Sequence, residues 1–423
     1  MRTKLVIFGI TGDLSTRKLL PALSQIMKTG DFDDLSVIGV SRHDFDLAAL
    51  LPTESEQLLG RFSQITMNVS DAAEYHRLKD VIALGEDEQL LVYLSVPPAA
   101  SAQIVELLGQ AGINTSNTKL LLEKPFGIDL SSAETMIGHV ARYYDESQVY
   151  RIDHYLAKEM TQNIVAFRGG NALFSYVWNN QAIEKIEVVA LESIGIEGRT
   201  DFYEPTGALR DVLQGHLMQL LAITLMDVPH EFDWSGVTEL RAQALKAIAP
   251  ADPTTAVRAQ YSTYRDEVGN PESMTETFAA VRLESHDEQW KGVPLILATG
   301  KAMDKKATEV RIHFKKSHEA QTNCLIFRIQ PHESVEIEVF TKKPGYEREL
   351  QTQTLSFMYP ENTVLPDAYE QVIVDAIRSR KSVFAGSEEV LRSWEILQPV
   401  QQAWAASDVI RHYDAGSDLY SLI

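Results

Sequence analysis

A histidine, a phenol and an ammonium group lie close together in the segment Arg151-Ile-Asp-His-Tyr-Leu-Ala-Lys-Glu159. Asp153 falls at the junction between a predicted strand and a predicted helix. If the helix begins there, His154 and Lys158 are four residues apart and Tyr155 and Lys158 are three apart, so the three side chains share a face. Such a face could hold a phosphate monoester. Taken alone, however, the segment fits a capped helix with solvated charges better.

A glycine-containing loop, Gly9-Ile-Thr-Gly12-Asp-Leu-Ser, follows the first predicted strand at residues 4–10 and precedes a helix predicted over residues 17–28. Glycines let the backbone approach a pyrophosphate, and the helix N-terminus offers N–H groups and the positive end of a dipole. The loop lacks the full G-x-G-x-x-G spacing, so an ordinary strand–turn–helix is the alternative. Its position after the first strand favours a dinucleotide site.

Ser41 and Arg42 follow the second predicted strand, where NAD-specific folds carry an acidic residue for the ribose hydroxyls. Arginine instead suits a 2′-phosphate through bidentate, charge-assisted hydrogen bonds. Arg17 and Lys18 add positive potential from the first helix. A lone basic residue is usually a solvated surface charge, but this combination at this place predicts NADP rather than NAD.

The elements that must position these residues alternate at first between strands and helices. Strand patterns recur at residues 36–40, 62–69, 89–96, 119–122 and 149–152, with helical patterns at 100–110 and 131–144. This alternation predicts a doubly wound parallel sheet. We therefore predict an α/β, Rossmann-like NADP-binding domain over residues 1–152.

The pattern changes after Asp153. Helices are predicted over residues 154–167 and 208–226, with a strand at 183–194 between them. Long strand-like segments then dominate, at residues 278–284, 310–314, 324–329, 335–341 and 349–357, before helices return at 368–378 and 388–404. We predict a larger α+β domain over residues 153–423, with a mostly antiparallel sheet.

Composition limits the partners of this chain. Of its 423 residues 44% are hydrophobic and 23% charged, as in an ordinary globular protein, and the net charge is −20. Such an acidic field disfavours nucleic acid and anionic membranes, so an anionic ligand would need local basic clusters. A single cysteine, Cys324, excludes an intrachain disulfide. With neither a signal peptide nor a membrane span recognised, we expect a cytoplasmic protein.

Five segments, in the same order along the chain, resemble the glucose-6-phosphate dehydrogenase family. The segment at Asp153 is similar to its signature D-H-Y-L-G-K-E, and residues 9–18 are similar to its cofactor loop G-x-x-G-D-L-x-x-x-K. Its E-K-P-F-G motif and its D-x-x-Q-N-H-x-x-Q helix are matched by Glu123-Lys-Pro-Phe-Gly127 and Asp211-Val-Leu-Gln-Gly-His-Leu-Met-Gln219. Residues 292–306 resemble a later substrate-binding strand and loop. Chance agreement of all five is implausible.

The resemblance implies oxidation of glucose 6-phosphate at C1, the entry step of the pentose phosphate pathway, with hydride transfer to NADP and no metal. His216 would be the general base, and Asp153 would orient it, as in an Asp–His dyad. An imidazole pKa of about 6.5 suits this task. The implied substrate-binding residues are His154, Tyr155 and Lys158 for the 6-phosphate, and Glu192, Asp211, Lys301, Lys306 and Gln330 for sugar hydroxyls or phosphate.

The implied NADP contacts are Gly9, Thr11, Gly12, Asp13, Leu14, Lys18, Arg42 and Ser95. Lys124 would lie between cofactor and substrate, and the family carries a cis bond before the matching proline, so a cis Lys124–Pro125 bond is expected. The resemblance also implies a homodimer, or a dimer of dimers, formed through a sheet face.

Local spacing leaves some alternatives open. Asp211 and His216 are five residues apart, about 140° around an ideal α-helix, so they are not expected to share a face. Ala157 stands where the family usually has glycine, Gly215 where it has asparagine, and Ser15 where alanine is common. These departures motivate a second hypothesis, the same chemistry on an amino-, sulfo- or epimeric hexose. A third is a catalytically silent NADP-sensing subunit, against which the retention of Asp153 and His216 argues.

Overall fold

The computed structural model describes residues 2–51, 55–228, 233–316, 322–360 and 362–423. The chain forms two compact units. Unit 1 comprises Met1–Ala157, Ser235–Thr238 and Leu365–Ser387, and unit 2 comprises Lys158–Trp234, Glu239–Val364 and Glu388–Ile423. The sequence prediction divided the chain into two continuous segments at residue 153, so it had assigned residues 365–387 to the other domain.

Unit 1 is built on a parallel sheet. Within the described part of the chain its strands are β1 (Arg2–Phe8), β2 (Leu35–Ser41), β3 (Phe62–Thr66), β4 (Glu88–Leu94), β5 (Thr118–Leu122), β6 (Val149–Ile152) and β15 (Phe384–Ala385). Their order is β15-β6-β5-β4-β1-β2-β3, and only the pairing of β15 with β6 is antiparallel among these described strands. The strand order reverses between β1 and β4, because β2 and β3 are added on one side of β1 and β4, β5 and β6 on the other. A Rossmann-like sheet binds its ligand at this point, at the carboxyl ends of the strands. The predicted fold of this part is confirmed.

Helices accompany this sheet on the pattern that the sequence predicted. They are α1 (Leu20–Lys28), α2 (Leu47–Leu50), α3 (Glu56–Leu59), α4 (Ala72–Ile82), α5 (Pro98–Gln110), α6 (Leu130–Val140) and α13 (Ala368–Ile377), with a 3-10 turn at Glu146–Gln148. The strand β4 is buried along its whole length, as expected of a parallel strand covered on both faces. Among these helices the sequence prediction missed α2, α3 and α4, although Asp71 caps α4 by accepting the Ala73 N–H at 3.0 Å.

Unit 2 contains a larger, mostly antiparallel sheet, as predicted. Its described strands are β7 (Ile183–Leu191), β8 (Val257–Tyr261), β9 (Phe278–Leu283), β10 (Leu295–Gly300), β11 (Ala307–Phe314), β12 (Cys324–Gln330), β13 (Ser334–Lys342), β14 (Leu350–Met358) and β16 (Arg411–Tyr413). Their order is β14-β13-β12-β11-β7-β10-β9-β8-β16. The pairs β7–β10 and β8–β16 are parallel. The short strands β8 and β16 were not predicted.

The α-helices of the remaining chain are α7 (Glu159–Gly170), α8 (Ala172–Ser175), α9 (Thr200–Tyr203), α10 (Met218–Leu225), α11 (Val237–Lys246), α12 (Tyr264–Val268) and α14 (Ser387–Ala405). Two further 3-10 turns lie at Trp234–Gly236 and Leu419–Ser421. Among the described residues, no helix has both the length and the apolar character needed to cross a bilayer.

Two predicted helices begin with π-helical segments, Ser15–Leu19 and Leu209–Leu217, each continued by an α-helix. A π-helix is hydrogen-bonded from residue i to residue i+5, is rare, and frequently occurs at functional sites. Both segments lie in the motifs that the sequence singled out, so the departure from α-geometry bears directly on the site.

The helix predicted from residue 154 begins later, and this part of the prediction is wrong. Residues 154–157 form turns, and α7 starts at Glu159 with Lys158 as its N-cap residue. The cause is Asp153, whose carboxylate accepts the Tyr155 N–H at 2.9 Å. Such a side-chain bond offers the backbone an alternative to a helix. The proposed phosphate-binding side chains therefore do not lie along one helical face.

Candidate active site

The glycine loop of unit 1 is held very close to the end of β4. Gly9 has a φ of +79°, and a Cβ at this position would lie 2.1 Å from the carbonyl oxygen of Ser95. The Gly12 N–H donates to the Gly9 carbonyl at 2.9 Å. Only glycine fits such a left-handed and crowded position. The loop therefore forms a narrow cradle at the point where a parallel sheet binds a dinucleotide.

Ser15, which stands where the family commonly has alanine, stabilises this cradle. Its side chain is fully buried, and its hydroxyl donates to the Gly9 carbonyl at 2.9 Å. The Ser95 hydroxyl lies 3.0 Å from the Ser15 Oγ. The two serines thus link the loop after β1 to the residue after β4.

Arg42 is exposed directly after β2. The N–H groups of Gly9 and Ile10 donate to the Val40 carbonyl at 3.1 and 3.3 Å, so the end of β2 is bonded to the loop. This places the start of the segment that carries Arg42 beside the cradle. The residues present therefore fit a dinucleotide.

Lys18 has a partner that the sequence did not suggest. Its ammonium lies 3.3 Å from the carboxylate of Asp367, and both side chains are about half exposed. Asp367 is the N-cap residue of α13. An exposed pair of this kind contributes about 0–1 kcal/mol, so it does not prevent Lys18 from binding an anion.

A polar group follows each of two neighbouring strands, β5 and β6. Glu123 accepts a hydrogen bond from the hydroxyl of Tyr93, and the Lys124–Pro125 bond is cis, as expected. The pKa of Glu123 is raised to about 7: burial, the largest effect, and the charge of Asp153 raise it, and the Tyr93 hydrogen bond and the Lys124 charge lower it. Glu123 therefore titrates near neutral pH.

Asp153 and His154 lie at the same carboxyl edge. Asp153 is 2% exposed, and its carbonyl accepts the Leu156 N–H at 3.0 Å. The ring of His154 lies 6.2 Å from that of Tyr369, nearly parallel at 14°, and 4.9 Å from that of Tyr155. Tyr369 comes from α13, so the sequence segment 365–387 contributes to this edge of unit 1.

Asp211 and His216 in unit 2 share one face of their helix, contrary to the sequence prediction. Both lie in the π-helical segment Leu209–Leu217, in which residues five apart are one hydrogen-bonded turn apart. His216 is 5% exposed. The α-helical spacing of about 140° does not apply here. The imidazole and the carboxylate can therefore act on one small ligand without the cleft winding around the helix.

Glu276 anchors the start of this π-helical segment. Its carboxylate accepts the Leu209 N–H at 3.0 Å, and its carbonyl accepts the Ala208 N–H at 2.9 Å. Gly207, with a φ of +68°, makes room, because a Cβ there would lie 2.5 Å from the carboxylate. Burial raises the pKa of Glu276. No pattern in the sequence indicated this anchor.

Glu192 and Lys301, which are distant in sequence, form an ion pair in unit 2. The parallel register of β7 and β10 sets Leu191 opposite Gly300. The residues that follow them, Glu192 and Lys301, are therefore neighbours. The Lys301 side chain is 6% exposed and that of Glu192 is 41% exposed. A carboxylate at the end of an apolar strand needs a partner or a cleft, and Lys301 is that partner.

Tyr203 connects this pair to the π-helical segment. The Lys301 ammonium lies 5.2 Å from the centre of the Tyr203 ring. Burial raises the pKa of Tyr203 well above its ordinary value, and the negative charge of Asp211 adds to the effect. The segment itself packs against β7, β9 and β10. The structure thus brings together Asp211, Lys301 and Glu192, while the role of Tyr203 carried no signal in the sequence.

The other predicted substrate-binding residues of unit 2 lie on neighbouring segments. Lys306 is exposed just before β11, and Gln330 ends β12 opposite Thr308 of β11. Lys158 lies close enough to Glu333 to lower the pKa of that carboxyl, although burial, the larger effect, raises it. Gln330 therefore lies beside the start of β11, which Lys306 directly precedes. The Gln330–Pro331 bond is cis, which the sequence did not predict.

Comparisons with known proteins agree along the whole chain. Residues 6–163 match the family described as "Glucose-6-phosphate dehydrogenase, NAD binding domain", and residues 165–419 match "Glucose-6-phosphate dehydrogenase, C-terminal domain". The glucose-6-phosphate 1-dehydrogenase of Dickeya dadantii is 33% identical over 98% of this chain and 94% of that protein. The enzyme of the same name from Borreliella burgdorferi is 33% identical over 97% and 93%.

Solved structures give the same result. One, described as glucose-6-phosphate dehydrogenase in complex with its substrate glucose-6-phosphate, has a TM-score of 0.93 and 30% identity over 98% of this chain and 95% of that chain. The glucose-6-phosphate 1-dehydrogenase of Mycobacterium avium has a TM-score of 0.87 and 30% identity over 98% and 94%. Both halves of the sequence and the fold that they form therefore show that this chain belongs to the glucose-6-phosphate dehydrogenase family.

Proposed function

We propose that this chain oxidises glucose 6-phosphate at C1 to 6-phosphogluconolactone, with hydride transfer to NADP+. The observation that carries the proposal is the shared face of Asp211 and His216, packed against the strands whose ends hold Glu192 and Lys301. A base, a carboxylate and an ion pair of this kind suit a polyhydroxylated anion. The named relatives, matched over nearly their full length, favour glucose 6-phosphate over a modified hexose.

His216 is the proposed general base. Its imidazole accepts the proton of the C1 hydroxyl as the hydride leaves C1, and Asp153 is the proposed partner that orients the imidazole and stabilises its charged form. The bound dinucleotide supplies the nicotinamide that accepts the hydride. The protein's contribution is to fix the reacting atoms and to remove the proton, which needs no metal.

The remaining substrate contacts follow the chemistry of the groups. His154, Tyr155 and Lys158 are proposed to bind the 6-phosphate through charged and hydroxyl donors. Lys124 is proposed to lie between substrate and cofactor. The sugar hydroxyls are assigned to Glu192, Asp211, Lys301, Lys306 and Gln330.

NADP rather than NAD is the proposed cofactor. The cradle of Gly9 and Gly12 fits a pyrophosphate, and Arg42 stands at the end of β2, where a 2′-phosphate is bound. Thr11, Asp13, Leu14, Lys18 and Ser95 complete the proposed contacts. Replacement of Arg42 by alanine should raise the KM for NADP+ and leave that for NAD+ nearly unchanged. Equal increases for both cofactors would contradict the assignment of the 2′-phosphate.

A homodimer, or a dimer of dimers, is also proposed. The edge strand β14 exposes four apolar residues, each with at least 49% of the residue's accessible surface exposed: Leu350, Leu355, Phe357 and Met358. Apolar groups in an edge strand are usually covered by another chain. Light scattering at working concentration tests this, since the mass of a single chain would contradict it. The cytoplasmic location stays a prediction.

The direct test follows the absorbance of reduced nicotinamide with glucose 6-phosphate, in separate reactions with NADP+ and NAD+. The wild type should reduce NADP+ faster, and His216→Asn should abolish turnover while retaining NADP+ binding. Turnover of another hexose phosphate in preference to glucose 6-phosphate would overturn the substrate. Binding of NADP+ without turnover on any sugar would favour a silent subunit.

A further inference from the structure

A cluster of titratable side chains closes the carboxyl edge of the unit 1 sheet. Tyr93 lies in β4, Glu123 follows β5 and Asp153 follows β6, and these three strands are neighbours. Tyr369 reaches the cluster from α13, and its pKa is raised by burial and then by the charges of Glu123, Asp367 and Asp153. The proposed mechanism assigns no role to Glu123, although it assigns roles to Lys124 and Asp153, whose charges act on Glu123.

Glu123 interacts with every other member of this cluster. Its carboxylate accepts the hydroxyl hydrogen of Tyr93, a side chain that is fully buried. It feels the positive charge of Lys124, the next residue, and the negative charge of Asp153. His154 belongs to the same neighbourhood because it stacks on Tyr369. Glu123 is therefore surrounded by two phenols, one cation and one anion in this described part of unit 1.

We infer that Glu123 is a positioning residue, whose ionised carboxylate keeps the ammonium of Lys124 at the sheet edge and maintains a second negative charge beside Asp153. The inference rests on the proposed function. Electrostatic coupling between two titrating groups is reciprocal, so an ionised Glu123 raises the proton affinity of Asp153. It also raises the proton affinity of the base that Asp153 is proposed to orient. Protonation of Glu123 removes both effects.

This role gives the reaction an additional pH dependence. Because the pKa of Glu123 lies near 7, the carboxylate gains its proton as the pH falls through neutrality. Protonation of the proposed base, His216, also stops the reaction, because only the neutral imidazole can accept the proton of the C1 hydroxyl. Protonation of either group then lowers the activity of the wild type, so log(kcat/KM) should fall with a slope steeper than 1 over the pH range in which both groups gain protons.

The first test compares the pH profile of the wild type with those of Glu123→Gln and Tyr93→Phe. Glu123→Gln keeps the shape but not the charge, so kcat/KM should fall by about 10-fold or more at alkaline pH, and the acid slope should approach 1. Tyr93→Phe removes a bond that lowers the pKa of Glu123, so the acid limb should move to higher pH. Tyr75→Phe is the matched control, since its buried hydroxyl donates to the Val69 carbonyl at 2.6 Å.

A second measurement does not depend on turnover. Infrared difference spectra of the protein alone should show a carboxyl that titrates near pH 7, absent from Glu123→Gln and shifted to higher pH in Tyr93→Phe. If no sugar is oxidised, the proposed function fails while this titration still reports the charge of Glu123. If the wild type is active and Glu123→Gln leaves both the profile and kcat/KM unchanged, the inference is overturned. It is equally overturned if Tyr75→Phe shifts the acid limb as Tyr93→Phe does.

Discussion

Asp211 and His216 lie one π-helical turn apart, so the carboxylate and the imidazole face the same side of the segment Leu209–Leu217. The extra residue in the turn is what aligns them, because the same spacing in an α-helix separates two side chains by about 140°. A π-helical segment is rare, so contacts from its surroundings are expected to stabilise it. Here the Glu276 carboxylate accepts the N–H of Leu209, the first residue of the segment, and the strands β7, β9 and β10 pack against the segment.

The shared face predicts a substrate-binding role for Asp211. Asp211→Asn removes a charged acceptor for a sugar hydroxyl, which should raise the KM for glucose 6-phosphate by about 10- to 100-fold. The dissociation constant of NADP+ should stay unchanged, because the glycine cradle lies elsewhere in the chain. Steady-state kinetics and NADP+ titration check this. Asp201→Asn, at an exposed carboxylate in α9, is the control and should change neither quantity.

Gly207 should be essential to the same segment. Gly207→Ala imposes a left-handed residue, at about 1–2 kcal/mol, and also displaces the Glu276 carboxylate, which a Cβ would approach to 2.5 Å. Both the free energy of unfolding and kcat should therefore fall. Gly198→Ala separates the two effects, because Gly198 has a φ of +74° but no atom within 4 Å of its Cβ position. Equal losses in the two variants would show that the Glu276 anchor has no influence.

Local patterns predicted the elements of this chain well, since a buried strand such as β4 or a glycine loop at Gly9 is specified by neighbouring residues. The π-helical turn at Asp211 was missed because apolar periodicity does not distinguish one added residue per turn from an α-helix. The turn at His154 was missed because the Asp153 side chain competes with the helix for the backbone.

Contacts between residues that are distant in the sequence were the other limit of the prediction. Lys301 was placed in the site by resemblance, but its pairing with Glu192 depends on the parallel register of β7 and β10. The capping box of Asp367 and Glu370, which begins α13, follows a spacing that sequences do reveal. Nothing local, however, assigns α13 to unit 1, where Tyr369 meets His154. Long-range packing of this kind has to be observed.

Ser15 predicts a measurable effect on the cofactor. Ser15→Ala restores the residue that is common in the family and removes the hydrogen bond to the Gly9 carbonyl. A bond of this type is worth about 1 kcal/mol, so the KM for NADP+ should rise by about 5-fold. Ser24→Ala is the matched control, since Ser24 is also buried and lies 3.0 Å from another hydroxyl, that of Ser55. A rise in both variants would indicate general loosening of unit 1.

The most costly single charge to remove in unit 2 should be that of Glu389. Its carboxylate and the Arg241 guanidinium are 2.7 Å apart, and both side chains are fully buried, so they join α11 to α14. Glu389→Gln removes the charge that faces a fully buried guanidinium, which should lower the free energy of unfolding by about 3–5 kcal/mol.

The preceding residue supplies the control for that prediction. Glu388 pairs with Lys246 at 2.6 Å, but both side chains are more than half exposed. Water and salt screen such a pair, so Glu388→Gln should change the free energy of unfolding by less than about 1 kcal/mol. Urea unfolding of the two variants at neutral pH measures the difference. Similar small losses in both would mean that Arg241 finds other acceptors when Glu389 loses its charge, and that α11 and α14 are held together by apolar packing instead.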